Sequence, residues 1–246
     1  MNVVDSTRKS LEALEQRIER LEEANRLKDE FLSALGHELG NVFLPYQFAL
    51  QLLQHEPANA ATFEQVRAML EEHSGNVEWF MENLRTVSRI VRGKLQAERK
   101  PVDLKEIVEQ GAGRVQSVID KHRLRISVSL PLQPITLQGD SKLLGQMVEH
   151  LLQNAARFTD PGGHVWLSLA RENGEAVLRV RDTGMGIAPE LMPRLFTLFV
   201  QGDPLTGGWG AGLATVRTVA ELHGGRVEAF SPGPRQGAEF VVYLPV

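Results

Sequence analysis

The stretch SALGHELGNVFLP, residues 33–45, sets His37 between Gly36 and Gly40 inside an otherwise helical pattern, with Glu38 beside it. An imidazole offers a nucleophilic ring nitrogen near neutral pH, and an adjacent carboxylate can orient the ring or take its proton. A wet surface histidine of no consequence is the plain alternative, and composition alone does not separate the two. The glycines weigh against it, because each costs about 1 kcal/mol relative to alanine in a helix interior and local violations of this kind collect at functional sites. Asn41, one turn after His37, either bonds to nearby backbone or serves the same site.

Three later segments carry ligand-binding chemistry. RDTGMGIAPE puts Asp182, Gly184 and Gly186 just after a strand pattern, where backbone can approach a ligand and a carboxylate can accept a hydrogen bond from an amino group. GGWGAGLATVR places Gly208, Gly210 and Gly212 at the opening of a helix, exposing backbone amides and the positive end of its dipole to an anion. EHLLQNAARFT offers Asn154 and Arg157 on neighbouring helical turns, an amide oxygen for a metal and a cation for phosphate. Each is weak alone; together they point to one nucleotide.

Composition bounds the rest. The 27 basic residues against 31 acidic ones leave a net charge of −4, which gives no electrostatic case for a nucleic-acid partner. With no cysteine, disulfides and thiolate chemistry are excluded, and a reducing cytoplasm is permitted. No signal-peptide pattern opens the chain, and no apolar run approaches the roughly 18 residues that cross a bilayer, so a cytoplasmic chain without a membrane segment is expected.

The elements that must position these residues are legible from periodicity. Leu11, Leu14, Ile18 and Leu21 alternate spacings of three and four among charged residues, which predicts a coiled-coil linker over residues 1–30. Asn25 and Lys28 continue the seam as polar members that favour two strands, so a homodimer is expected. Phe31, Leu35, Leu39, Val42, Tyr46, Ala49 and Leu50 extend one helical stripe, with His37 nearly opposite. Pro57 ends that helix and Asn59 is a plausible N-cap for the next, whose seam runs from Phe63 through Val66, Leu70, His73 and Phe80 to Val91. His73 belongs to that seam and is assigned no chemistry. Residues 31–98 thus read as a helical hairpin, and two copies bury both stripes in a dimeric four-helix bundle. From residue 99 onward, alternating β-branched strands and helical runs predict an α/β domain, with a hairpin turn at Asn173 and Gly174 and an N-cap at Asp140.

In this order, the histidine, asparagine, DxGxG, LFTLF and GGxGxGL segments resemble the sensor histidine kinases of two-component systems across residues 31–246. The resemblance implies a multidomain α and α+β chain. Residues 31–98 would be the dimerisation and histidine phosphotransfer domain, and residues 99–246 an ATP-binding α/β sandwich with a mixed sheet, of the kind shared by gyrase, heat-shock-90 and MutL proteins. It implies that His37 attacks the γ-phosphate of ATP, that Glu38 is its base or orienter, and that Asn41 aligns a water for dephosphorylating a partner response regulator. Asp182 would read adenine above a floor shaped by Gly184 and Gly186. Asn154 would hold magnesium, and Arg157, Phe158, Gly208, Gly210, Gly212 and Leu213 would line the nucleotide, with Phe196 and Phe199 under a short lid. The partner would be a response regulator receiver domain.

The chain departs from that pattern in three places. Gly40 and Val42 replace an arginine and a proline, and His150 stands where relatives commonly carry a second asparagine, so it joins Asn154 as a candidate metal ligand. Magnesium prefers oxygen, so a weaker or different hold on magnesium-ATP is expected. A kinase-weak phosphatase or phosphotransfer scaffold is the alternative these departures motivate. An ATPase of the gyrase type would need a glutamate where His150 stands, and Glu149 is one residue off that face.

Overall fold

A computed structural model describes residues 3–55, 59–200 and 210–246; the side chains of residues 3–13, 20, 23, 24, 27, 37, 55, 72 and 76 lie outside that description. Helix α1 (Val3–His55) runs unbroken through Pro45, so the linker and the histidine segment are one continuous element. Helix α2 (Ala60–Val91) starts as its sequence dictates, the amide of Thr62 donating to Asn59 Oδ1 at 2.9 Å. Ala49, Val66 and Phe80 are buried, whereas Leu14, Ile18, Leu21, Leu50 and Phe63 are each more than half exposed within the single chain.

Contacts divide the chain into two compact units, Met1–Phe80 and Met81–Val246. The division falls inside α2 because its last turns pack in the second unit. Thr86 Oγ1 donates to Gln146 Oε1 at 3.0 Å, Lys142 Nζ pairs with Glu82 Oε1 at 2.7 Å, and Asn83, Thr86 and Val87 are buried there.

The second unit contains β1 (Lys100–Asp103), α3 (Leu104–Lys121), β2 (Arg125–Ser129), β3 (Thr136–Gly139), α4 (Ser141–Phe158), β4 (His164–Glu172), β5 (Glu175–Asp182), α5 (Gly212–Leu222), β6 (Arg226–Phe230) and β7 (Glu239–Pro245). Strands β1 and β3 form an antiparallel pair, and the main sheet has the order β2-β4-β5-β7-β6. Only its β2–β4 pairing is parallel, so the sheet is mixed. Alternate residues Val165, Leu167 and Leu169 of β4, Leu178 and Val180 of β5, and Phe240, Val242 and Leu244 of β7 turn to one face and share a core with α3, α4 and α5. The hairpin turn carries Asn173 at φ 49° and Gly174 at φ 84°, the conformation that an Asn-Gly pair favours.

Two polar devices fix the helices that matter. Asp140 caps α4, its Oδ1 accepting from the amides of Lys142 and Leu143 at 3.0 and 3.1 Å. His223, at the end of α5, donates from Nδ1 to the Val219 carbonyl at 2.7 Å and accepts the Asp140 amide on Nε2 at 2.9 Å. That pairing requires the neutral ring and ties the end of α5 to the start of α4.

Candidate functional site

Helix α4 supplies the base of the site. Leu151, Leu152, Ala155 and Ala156 are fully buried, which brings Asn154 to a half-buried position and leaves Arg157 exposed. The carbonyl of Phe158 accepts the Met185 amide at 2.9 Å and stands where a Cβ on Gly184 would go. Only glycine lets the loop after β5 lie so close to the end of α4. Gly186 has φ 66°, and a Cβ there would collide with the Gly233 carbonyl.

That loop holds Asp182, which is 5% exposed. Its Oδ1 accepts two amides, Gly184 at 2.8 Å and Ala238 at 3.2 Å. Neither bond falls on Oδ2, which keeps its capacity to accept a hydrogen bond. Burial pushes the carboxyl pKa above its ordinary value, and the two amides pull partly the other way.

The sequence reading missed the outer brace of this loop, residues 231–237 between β6 and β7. Ser231 Oγ accepts the Ile187 amide at 3.0 Å and donates to the Gly237 carbonyl at 2.7 Å, and the Gly237 amide donates to the Gly184 carbonyl at 3.0 Å. The prolines and glycines of SPGPRQG mark a turn, but nothing local in them says what the turn touches.

On α4, His150 and Glu149 part company. His150 is 7% exposed, and its Nδ1 edge faces Gly212, 3.2 Å from the point a Cβ there would occupy. Burial, with the Arg157 charge adding to it, lowers its pKa to about 4, so the ring is neutral at pH 7. Glu149 turns to α3, where Arg114 Nη1 donates to its Oε1 at 2.6 Å. A carboxylate engaged there is not aimed with His150 at α5, which removes the glutamate that a gyrase-type ATPase would need.

Helix α5 opens at Gly212, just after Gly210 at φ 66°. The Phe199 amide donates to the Gly210 carbonyl at 2.9 Å, fastening the LFTLF segment to this opening, and Phe196 meets Phe240 edge-on at 6.5 Å between ring centres. Leu213 is half-buried against the core, as is Phe196. Gly208 and the proposed lid at 202–206 lie outside the described residues.

The second unit therefore gathers Asn154, Arg157, Phe158, Asp182, Gly184, Gly186, Gly210, Gly212, Leu213 and His150 on the α4 end, the loop after β5 and the start of α5. His37, Glu38 and Asn41 belong to α1 in the first unit; Glu38 is half-buried and Asn41 exposed, and the His37 side chain lies outside the described residues.

Residues 139–246 match the family described as Histidine kinase-, DNA gyrase B-, and HSP90-like ATPase. The sensor protein DivL of Caulobacter vibrioides is 30% identical over 98% of this chain and 31% of its own length. The chain spans between 30 and 37% of such curated relatives. A full-length ShkA structure in complex with AMPPNP superposes on 87% of this chain and 45% of its own, with TM-score 0.61 and 28% identity. The mycobacterial sensor histidine kinase MprB superposes over 60% of this chain and 97% of its own, with TM-score 0.52 and 33% identity. Because nearly all of that solved kinase chain is matched at such identity, and the family span from residue 139 onward holds every nucleotide-side residue named above, this chain belongs to the sensor histidine kinases.

Proposed function

We propose that the protein is an ATP-dependent histidine kinase that phosphorylates its own His37 and passes the phosphoryl group to an aspartate on a response regulator receiver domain. One observation carries the nucleotide half of this reading. Asp182 spends one oxygen on two backbone amides and keeps the other for a ligand, on a loop that only glycine allows to lie against α4.

The roles follow from the chemistry of each group. Asp182 Oδ2 accepts from the adenine amino group, and the amides opening α5 meet the phosphates. The neutral His37 ring attacks the γ-phosphorus through one nitrogen, forming an N–P bond as the bridging P–O bond breaks and ADP leaves. Glu38 accepts a hydrogen bond from the other ring nitrogen and steadies the positive charge that develops there. Asn41, one turn away, positions a water for the reverse traffic, hydrolysis of the regulator's aspartyl phosphate. Magnesium, brought with the nucleotide, supplies charge neutralisation on the phosphates. Asn154 offers the amide oxygen that this ion prefers, while His150 offers nitrogen, so the donor set fits magnesium only in part.

A homodimer completes the reading. The coiled-coil residues Leu14, Ile18 and Leu21 are 58, 53 and 62% exposed in one chain, and a second copy is the partner that their heptad spacing suits. Among the described residues no helix is long and apolar enough to cross a membrane. ATP as donor makes the cytoplasm the setting we propose.

The test is incubation with γ-labelled ATP and magnesium, comparing wild type with His37→Ala. Acid-labile, alkali-stable label that vanishes in the variant supports the kinase. Nucleotide binding without label moves the assignment to a phosphatase or phosphotransfer scaffold. Steady hydrolysis that survives His37→Ala points to an ATPase.

A further inference from the structure

The loop after β5 is held along its length by residues 231–238. The Asp182 amide donates to the Ala238 carbonyl at 2.9 Å, the Gly237 amide to the Gly184 carbonyl at 3.0 Å, and the Arg235 amide to the Met185 carbonyl at 2.6 Å. All of these run from backbone to backbone. Apart from Asp182 itself, the one side chain in this clamp among the described residues is Ser231, whose Oγ accepts from the Ile187 amide at 3.0 Å and donates to the Gly237 carbonyl at 2.7 Å.

The Gly237 carbonyl and the Ala238 amide belong to a single planar peptide group. Its oxygen accepts from Ser231, and its N–H donates to Asp182 Oδ1 at 3.2 Å. Ser231 and Asp182 thus grip opposite edges of one plane. Gly237 makes that grip necessary. At φ 73° and without a side chain, it lets the peptide that follows turn over more readily than another residue would, and a stiffening Cβ is barred by the Asp182 carbonyl.

We propose that Ser231 is a positioning residue for base selection: its hydroxyl fixes the Gly237–Ala238 peptide, the peptide fixes the Asp182 carboxylate, and Oδ2 is thereby aimed at the exocyclic amino group of the base. This rests on the nucleotide reading above and deepens it, because it names what sets the preference of that site. Without the hydroxyl, the peptide oxygen loses its 2.7 Å donor and the Ala238 N–H is no longer held toward Asp182. Oδ1 then keeps only the Gly184 amide as a fixed donor, and the carboxylate is free to turn about that single bond. Hydrogen bonds in series also polarise one another, so the Asp182 bond weakens even where the peptide stays put. The backbone bonds from Gly237 and Arg235 remain, so the loop keeps its place while its carboxylate loosens.

The experiment is calorimetric titration of the full chain with ADP and with inosine diphosphate, whose ring carries an oxygen where adenine has its amino group, for wild type, Ser231→Ala and Ser231→Thr. The preference for ADP, taken as the ratio of the two affinities, is expected to fall about three- to tenfold in Ser231→Ala, the weight of one neutral hydrogen bond. Ser231→Thr keeps the hydroxyl and should regain it. A role confined to stability would lower the unfolding midpoint and leave the ratio alone. Made in an Asp182→Asn background, Ser231→Ala should move the ratio no further, because residues that act through one group do not add. A wild-type ratio in Ser231→Ala, or a fall that persists in full in the Asp182→Asn background, overturns the proposal and leaves the nucleotide reading intact. Absence of ADP binding by wild type overturns both. Should Ser231→Ala fail to fold, Ser231→Cys answers the same question, since its thiol is similar in size and a weak hydrogen-bonding group.

Discussion

Replacing Asp182 by asparagine separates recognition from architecture. The amide oxygen of Asn can still accept from Gly184 and Ala238, but its Nδ2 then presents a donor where the carboxylate's Oδ2 was an acceptor. A hydrogen bond to a charged group contributes about 1.5–3 kcal/mol, so the ADP dissociation constant should rise by about 10- to 150-fold. Stability should move differently. Burial raises the Asp182 pKa above 3.8, so folding loses stability as pH rises from 3.8 through the folded value and stays level above it. At pH 7 the ionised group is thus a burden that Asn removes, offset by weaker acceptance of the two amides; the net change should stay within about 1 kcal/mol. Asp182→Ala is the contrast, since it strands both amides in a buried place and should cost about 2–5 kcal/mol. Calorimetry of ADP binding and thermal unfolding of both variants decide it. Normal ADP binding by Asp182→Asn would refute the recognition role, and a loss of stability as large as that of Asp182→Ala would make the residue a structural cap.

Two histidines make the second unit acid-sensitive. His150 has a pKa near 4 and His223 is also lowered by burial, so neither affects stability above pH 6.5. Below it the unfolded chain takes up protons that the fold refuses, and stability drops by about 1.4 kcal/mol per pH unit for each histidine until its folded pKa is reached. Urea unfolding at pH 7 and pH 5 should show a drop about 2 kcal/mol smaller for His150→Asn than for wild type; an equal drop would refute the burial argument. Asn83 is 1% exposed and its Nδ2 makes no hydrogen bond among the described residues, so Asn83→Leu should raise the stability of the second unit by about 1 kcal/mol, read as a higher unfolding midpoint. A Cβ on Gly36 or Gly40 would touch nothing within 4 Å, so alanine at either should stabilise α1 by about 1 kcal/mol in circular dichroism melts. If the glycines serve approach to His37, its labelling should fall as the helix gains.

The fold was legible where the deciding interactions are local. Asn59 and Asp140 cap helices through side chains two or three residues from their donors, and Asn173–Gly174 turns a hairpin whose strands flank it directly. Each is a short-range rule that the sequence states openly. The tie from His223 to Asp140 spans 83 residues, and the bond from Thr86 to Gln146 spans 60. Nothing in a window of helical length marks either. For the same reason periodicity assigned the whole of α2 to one hairpin, although its last turns pack on α4.

The site divides along the same line. Its glycines were visible because glycine is costly where no close approach requires it, and Gly184 and Gly186 do sit where a Cβ would strike the Phe158 and Gly233 carbonyls. The partners in those approaches were invisible, since a carbonyl is common to every residue. His150 and Glu149 differ in a way that periodicity does not state. One residue of helical advance turns the side chain by about 100°, enough to send the glutamate to Arg114 on α3 and the imidazole to Gly212 on α5. The sequence placed a weak metal ligand beside a displaced glutamate, with two readings open. Their different directions argue against the hydrolytic one, because a buried carboxylate already paired with Arg114 would have to abandon that cation to activate water. What then stands against the opening of α5 is a buried imidazole that is neutral at pH 7, in place of the carboxylate that such a reaction needs.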